Sequence, residues 1–155
     1  MIRHGLAAML IAAATSLMLS QAAFAAEDGI TVVESEKFGP YIADSAGKPL
    51  YLFTSDKQGA GYATPSSVCK DDCATAWPPF MVGKSPAPGD GVKAHLVGTM
   101  NRSGKSQATY NGWPLYYFIK DEGKDAPQGQ DKHGFGGEWY LLTPDGEKVH
   151  EGDED

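Results

Sequence analysis

Gly47-Lys48-Pro49-Leu50-Tyr51-Leu52-Phe53-Thr54-Ser55-Asp56 and Gly112-Trp113-Pro114-Leu115-Tyr116-Tyr117-Phe118-Ile119-Lys120-Asp121 are two copies of one ten-residue pattern. They lie 65 positions apart without a gap, and six of the ten positions are identical. A match of that length at a constant offset marks an internal duplication. Two copies of one β unit are then expected to build one compact body. The duplication also argues against either copy being a catalytic motif by itself, because active sites are seldom repeated so symmetrically.

Side chains alternate along a strand. Tyr51 and Phe53 therefore share one face, opposite Leu50, Leu52 and Thr54. Tyr116 and Phe118 share the matching face, opposite Leu115, Tyr117 and Ile119. Both faces are largely apolar, which predicts central strands covered on two sides. Each Pro opens its strand, where the missing N–H costs little. Asp56 and Asp121 fall just past the strand ends, where a carboxylate accepts backbone N–H groups and fixes a turn. Core packing is the preferred reading of the Tyr-x-Phe pairs. The competing one is a ligand-stacking surface formed by Tyr51, Phe53, Asp56, Trp77, Trp113, Tyr116, Phe118, Asp121 and Trp139.

Working outward, Gly and Pro are frequent and no stretch sustains a 3.6-residue period. Short runs of Val, Tyr, Phe, Leu and Thr between turn signals read as all-β. Strands are expected at Thr31–Glu34, Tyr41–Ala43, Pro49–Thr54, His95–Met100, Gln107–Tyr110, Trp113–Ile119 and Glu138–Thr143. Asp44-Ser45-Ala46-Gly47 and Asn111-Gly112 turn the chain into each repeated strand, the second as a strong hairpin signal because both residues tolerate positive φ. Three longer loops remain, Lys57–Ser67, Met81–Gly91 and Glu122–Gly137. The expected fold is a single all-β domain of two related β-hairpin repeats, a sandwich or barrel-like sheet. A short helical turn at the cysteines is its exception.

Residues 1–25 read as a secretory signal peptide, with a basic start, an apolar run from Gly5 to Leu19 and cleavage near Ala25. The run is short for a ~20-residue membrane span, and no integral membrane segment is expected in the mature chain. Residues 26–146 form the two-repeat domain and 147–155 an acidic C-terminal tail. The chain carries 13 basic and 20 acidic residues, a net charge of −7, and loses one further Arg with the leader. That balance excludes a nucleic-acid partner, whose phosphates need clustered Lys and Arg. Export to a periplasm or beyond is expected.

Cys69 and Cys73 are the only cysteines. An even count in an exported chain favours a disulfide, and residues four apart on a helical turn lie within bridging distance. Lys70 to Trp77 can make one or two helical turns, stopped by Pro78 and Pro79. Trp77 then packs on the sheet or lines a pocket. A redox-active pair is disfavoured, because C-x3-C lacks the usual C-x-x-C spacing. His95, His133 and His150 have no ligand-like spacing to the cysteines, and no metal or cofactor is expected.

The doubled G-x-P-L-Y-x-F-x-x-D, the intervening C-x3-C-A-x2-W-P-P and the later Gly-Gly-x-Trp-Tyr together resemble the bacterial secreted-repeat proteins. These are also described as predicted lipoproteins with a conserved Y-x-(F/W/Y)-x-x-D motif. The resemblance runs from about Phe38 to Gly146. It implies an extracytoplasmic protein and leaves the biochemical activity open. This chain departs from the lipidated pattern, having no acceptor Cys near the cleavage site.

No G-x-S-x-G, H-E-x-x-H or phosphate loop is present, so no catalytic constellation is visible. The expectation is a non-enzymatic, exported binding or interaction module for an envelope ligand or protein partner. The alternative is a periplasmic redox or metal-handling accessory using Cys69 and Cys73, or loop carboxylates with His133 and His95.

Overall fold

A computed structural model describes residues 28–60, 63–122 and 127–150. The expected leader and the end of the acidic tail lie outside the described residues. Among the described residues are ten short strands: β1 (Gly29–Val33), β2 (Tyr41–Asp44), β3 (Tyr51–Phe53), β4 (Met81–Val82), β5 (Ala87–Pro88), β6 (Val97–Arg102), β7 (Lys105–Tyr110), β8 (Trp113–Pro114), β9 (Lys132–Gly134) and β10 (Gly137–Leu141). One short helix, α1 (Asp72–Ala76), follows Cys69, and a 3-10 turn at Ala94–Leu96 leads into β6. The fold is therefore mostly strand, as the alternation predicts. The strands form three sheets, ordered β2-β1-β5, β3-β10-β9 and β4-β7-β6, with β8 also on β7. None of them closes into a barrel.

The duplication is visible bond by bond. β1 pairs antiparallel with β2 just as β6 pairs with β7. Leu50 N–H donates to Ile42 O at 3.1 Å, and Leu115 N–H donates to Ala108 O at 3.0 Å. Thr54 N–H donates to Glu138 O and Ile119 N–H to Ala76 O, at 2.9 and 3.0 Å. The two repeated strands meet at their tyrosines. Tyr51 N–H donates to Tyr116 O at 2.9 Å, and Tyr116 N–H returns the bond to Tyr51 O at 3.0 Å. Such reciprocity, residue i to j and j to i, is the signature of a two-fold relation, here between two halves of one chain.

The repeated strands run between two apolar cores. Tyr51, Phe53, Tyr116 and Phe118 face one, with Trp77, Trp139, Leu141 and both cysteines. Leu50, Leu52 and Leu115 face the other, with Ile30, Ile42, Phe80, Tyr110 and Leu142. Burying each large apolar side chain stabilises the fold by about 1.5–3 kcal/mol. Regular strand in the second copy ends at Pro114, with Tyr116 held by isolated bridges, and Ile119, in the closing turn, is half exposed. The hairpin at Asn111-Gly112 has φ of 48° and 75°, the positive pair that a tight two-residue turn requires. No other residue fits at Gly112, since a Cβ there would lie 1.6 Å from the carbonyl oxygen of Gly59.

The Met81–Gly91 and Glu122–Gly137 loops turn out to carry β4, β5 and β9. These strands are two or three residues long, too short for side-chain alternation to register. His95 belongs to the 3-10 turn, and the strand expected there begins at Val97.

Candidate functional site

Eight of the nine candidate ligand-binding residues converge in the first core, and they contact one another. Trp77 and Trp139 stack at 4.0 Å between ring centroids, 1° from parallel. Phe53 stacks on the outer face of Trp139 and Phe118 on that of Trp77, each at 4.1 Å. Tyr51 meets Trp77 edge-on at 5.4 Å and Tyr116 meets Trp139 edge-on at 5.2 Å. The result is a four-ring column, Phe53–Trp139–Trp77–Phe118, with a tyrosine against each tryptophan. Each favourable aromatic pair adds about 0.5–1.5 kcal/mol beyond the area it buries. Trp113 stays outside the column and packs, half-buried, on the second core.

The two tyrosines exchange aspartates between repeats. Tyr51 O–H donates to Asp121 Oδ2 at 2.5 Å, and Tyr116 O–H donates to Asp56 Oδ2 at 2.5 Å. The second oxygen of each carboxylate receives a backbone N–H, from Val68 on Asp56 at 2.8 Å and from Gln128 on Asp121 at 2.6 Å. Both aspartates are 6% exposed, and each also turns the chain back toward the phenylalanine of its own motif. Burial pushes the Asp56 carboxyl above its ordinary value, against the opposing pull of the Tyr116 hydroxyl, the Val68 and Cys69 N–H groups and the Arg102 charge. Burial, with the neighbouring carboxylate, raises both tyrosines well above the usual phenol range. The carboxylates thus sit in separate, closed Tyr–Asp pairs and not together in an open cleft.

Cys69 and Cys73 form the expected disulfide, with a Cα–Cα distance of 5.2 Å. Both are buried beside Trp77 and the tyrosines in the first core. The 3₁₀-like turn that joins them is closed by Cys73 N–H on Lys70 O at 3.0 Å. His133 lies exposed with Nδ1 3.5 Å from Glu138, and His95 is exposed on its turn. Among the described residues no three His, Cys, Asp or Glu side chains cluster in a way that could hold a metal ion.

The open site lies one layer out from the Tyr116–Asp56 pair. A polar cleft of about 380 Å³ is lined by Pro65, Ser66, Ser67, Lys70, Met100, Asn101, Arg102 and Ser103. Arg102 is the one arginine of the chain outside the first 25 residues. Its Nη1 donates to Ser67 Oγ at 2.8 Å and to Gln107 Oε1 at 3.1 Å, and its Nη2 donates to the Cys69 carbonyl. All three acceptors are neutral. A guanidinium has five N–H donors, so Nε and one Nη2 hydrogen remain. Ser67 connects the cleft to the core. Its hydroxyl lies 2.6 Å from Tyr116 Oη, whose single proton is given to Asp56, so Ser67 donates to Tyr116. A directed chain runs Arg102 to Ser67 to Tyr116 to Asp56. The sequence reading passed over Arg102, Ser67, Lys70 and Gln107, none of which belongs to a motif. Arginine scarcity in an acidic chain, with a single one beyond the leader, is a signal that could have found Arg102.

The two halves differ at this place. The β1–β2 and β6–β7 registers set Val33 at the position of Met100 and Tyr41 at that of Gln107; β1 ends there, whereas β6 runs on to Arg102. Gly129 N–H, donating to Tyr51 Oη at 3.1 Å, stands where Ser67 stands.

A family model described as a secreted repeat of unknown function matches residues 31–81 and again 98–143. Those spans begin two residues into β1 and one residue into β6 and end past the two tryptophans, so the family unit is the structural repeat. The chain belongs to this secreted-repeat family. No curated protein and no solved structure matches the chain. The secreted-repeat motif residues Tyr51, Phe53, Asp56, Tyr116, Phe118 and Asp121 are all buried, and the aspartate that each tyrosine binds lies in the opposite repeat. Among the described residues no helix is long and apolar enough to cross a membrane.

Proposed function

We propose that this secreted-repeat protein is a non-enzymatic periplasmic binding module that takes an oxyanionic ligand, a carboxylate or a phosphate-type group, in the Arg102 cleft. The observation that carries the reading is the state of Arg102. Its guanidinium is held in place by neutral acceptors, and no carboxylate ion-pairs with it among the described residues. A fixed guanidinium with unused donors matches the planar face of an oxyanion. Exposed Lys70 adds a second positive charge, and Ser66, Asn101 and Ser103 add polar groups. In an acidic chain such a spot is the natural anion receptor. The buried aromatic column and Tyr–Asp pairs serve as scaffold in this reading. Export through a leader cleaved near Ala25 belongs to the same proposal.

Titration of the oxidised protein with acetate, sulfate, phosphate and a uronic acid, followed by amide chemical shifts, tests it. At least one anion is expected to move the amides of Ser66–Lys70 and Asn101–Ser103 together. Lys70→Gln lies at an exposed site and is expected to weaken binding by up to about fivefold, the upper range of an exposed charge contact. Arg102→Lys keeps the charge but loses the fork, and is expected to cost more. Shifts scattered over the surface, or none, would overturn the assignment.

A further inference from the structure

The aromatic column has a chemical property that packing alone does not demand. Parallel indole rings at 4.0 Å share a positive charge between them, which makes the Trp77–Trp139 pair easier to oxidise than one isolated indole. Such a charge cannot be discharged at Trp139 by losing a proton. Trp139 Nε1 is buried and is the one buried side-chain polar atom without a hydrogen-bond partner among the described residues. An uncompensated charge there is expensive. Tyr116 touches Trp139 edge-on, and its phenolic proton already lies on a line to a carboxylate 2.5 Å away. Tyr51 stands in the same relation to Trp77 and Asp121.

We propose that the column is a one-electron oxidation site: a high-potential one-electron oxidant at the surface takes an electron from the Trp77–Trp139 pair, and the oxidation settles on Tyr116 as its proton passes to Asp56. In the overall step the oxidant gains one electron, the Tyr116 O–H bond breaks, and a new O–H bond forms on Asp56 Oδ2. The products are a neutral tyrosyl radical and a neutral carboxylic acid, so no net charge is left in the core. Tyr51 and Asp121 form a second outlet of the same design. Burial, which holds the Asp56 carboxyl above its ordinary value, favours its taking up the proton. Ser67 continues to donate to the tyrosyl oxygen, and the charge of Arg102 stays outside the core. The site works without the cleft being occupied, so its test is independent of anion binding.

The experiment is flash photolysis of the oxidised, full-length mature protein with a ruthenium tris-bipyridine photo-oxidant and a sacrificial acceptor. The radical is trapped by freezing and read by electron paramagnetic resonance. Protein carrying ring-deuterated tyrosine assigns the signal without any mutation, because deuteration collapses tyrosyl but not tryptophanyl splittings. A tyrosyl signal is expected, formed more slowly in deuterium oxide because an O–H bond breaks. Asp56→Asn/Asp121→Asn removes both proton acceptors and is expected to slow tyrosyl formation about 100-fold, the low end of what a placed base contributes. Tyr140→Phe, at the surface, is expected to leave the yield unchanged. A signal that ignores tyrosine deuteration, or that persists in Tyr51→Phe/Tyr116→Phe protein with native near-ultraviolet circular dichroism, would overturn the proposal.

Discussion

Replacing Tyr116 by Phe tests whether the crossed Tyr–Asp pairs hold the halves together. The ring remains, so its edge contact with Trp139 is kept. What disappears is one oxygen that donates to Asp56 at 2.5 Å and accepts from Ser67 at 2.6 Å. Asp56 is 6% exposed, so water cannot freely replace the lost donor. A hydrogen bond to a charged group contributes about 1.5–3 kcal/mol, and a buried acceptor left short adds to the loss. The expected destabilisation is about 2–3 kcal/mol. With a urea m-value near 2 kcal/mol/M for a chain of this size, the midpoint falls by about 1 M. Tyr51→Phe is expected to cost a similar amount, because Asp121 makes the same pair. Tyr140→Phe is the control. Its hydroxyl bonds Glu138 at 2.9 Å on a half-exposed site, with the phenol pushed up to about 12 first by that hydrogen bond. A loss below about 0.5 kcal/mol is expected there. If Tyr116→Phe costs no more than Tyr140→Phe, the crossed pairs are incidental and the reasoning fails.

Three further outcomes follow from the same geometry. Gly129→Ala sets a Cβ 2.7 Å from the Tyr51 ring and 2.9 Å from Trp77, so a loss of about 1–3 kcal/mol is expected from overpacking, read by urea melts; an unchanged midpoint would contradict the packing. Cys69→Ser/Cys73→Ser opens a short loop whose closure entropy is worth about 2 kcal/mol, and a thermal melt unchanged by the double variant would show the disulfide to be idle. The folded-state pKa of Asp56 is raised above its unfolded value by burial. The native state therefore holds a proton that the unfolded chain has already released, and stability falls as pH rises from the ordinary carboxylate range through the raised pKa, then levels off. Asp56→Asn is expected to flatten that decline in a pH series of denaturation midpoints, and a variant that steepens it would reverse the assignment.

Much of the fold was legible because it depends on local rules. Asn111-Gly112 demands positive φ twice, and the hairpin is there. Alternation along Leu50–Phe53 predicted a strand covered on both faces, and the two faces enter different cores. The even pair of cysteines is a disulfide. The partner of each aspartate was not legible. Tyr51 and Asp56 share a motif, but an extended strand rises about 3.3 Å per residue and carries the aspartate away from its own tyrosine. Only reciprocal pairing of the two strands brings Asp121 to Tyr51 and Asp56 to Tyr116, and long-range pairing leaves no trace in one sequence. For the aromatic candidates the sequence favours packing and leaves ligand stacking as the competing reading. In the structure the rings of Phe53, Trp77, Phe118 and Trp139 are stacked on one another.

A duplicated scaffold separates what a fold needs from what one copy has acquired. Whatever both halves share, the strand, the tyrosine, the crossed aspartate and the stacked tryptophan, is needed for each half to close on the other. These features would recur in any pair of such repeats, whatever the pair does. A feature present once answers to another demand. Arg102 has no counterpart in the strand pairing of the first half, Gln107 replaces Tyr41, and a serine hydroxyl replaces the Gly129 N–H beside the tyrosine oxygen. Closing the core does not call for the arginine, since the other half closes without one. An un-ion-paired guanidinium beside a cleft also lowers no desolvation cost for the fold. The asymmetry therefore directs functional experiments to Arg102 and Ser67, and structural ones to the repeated motif.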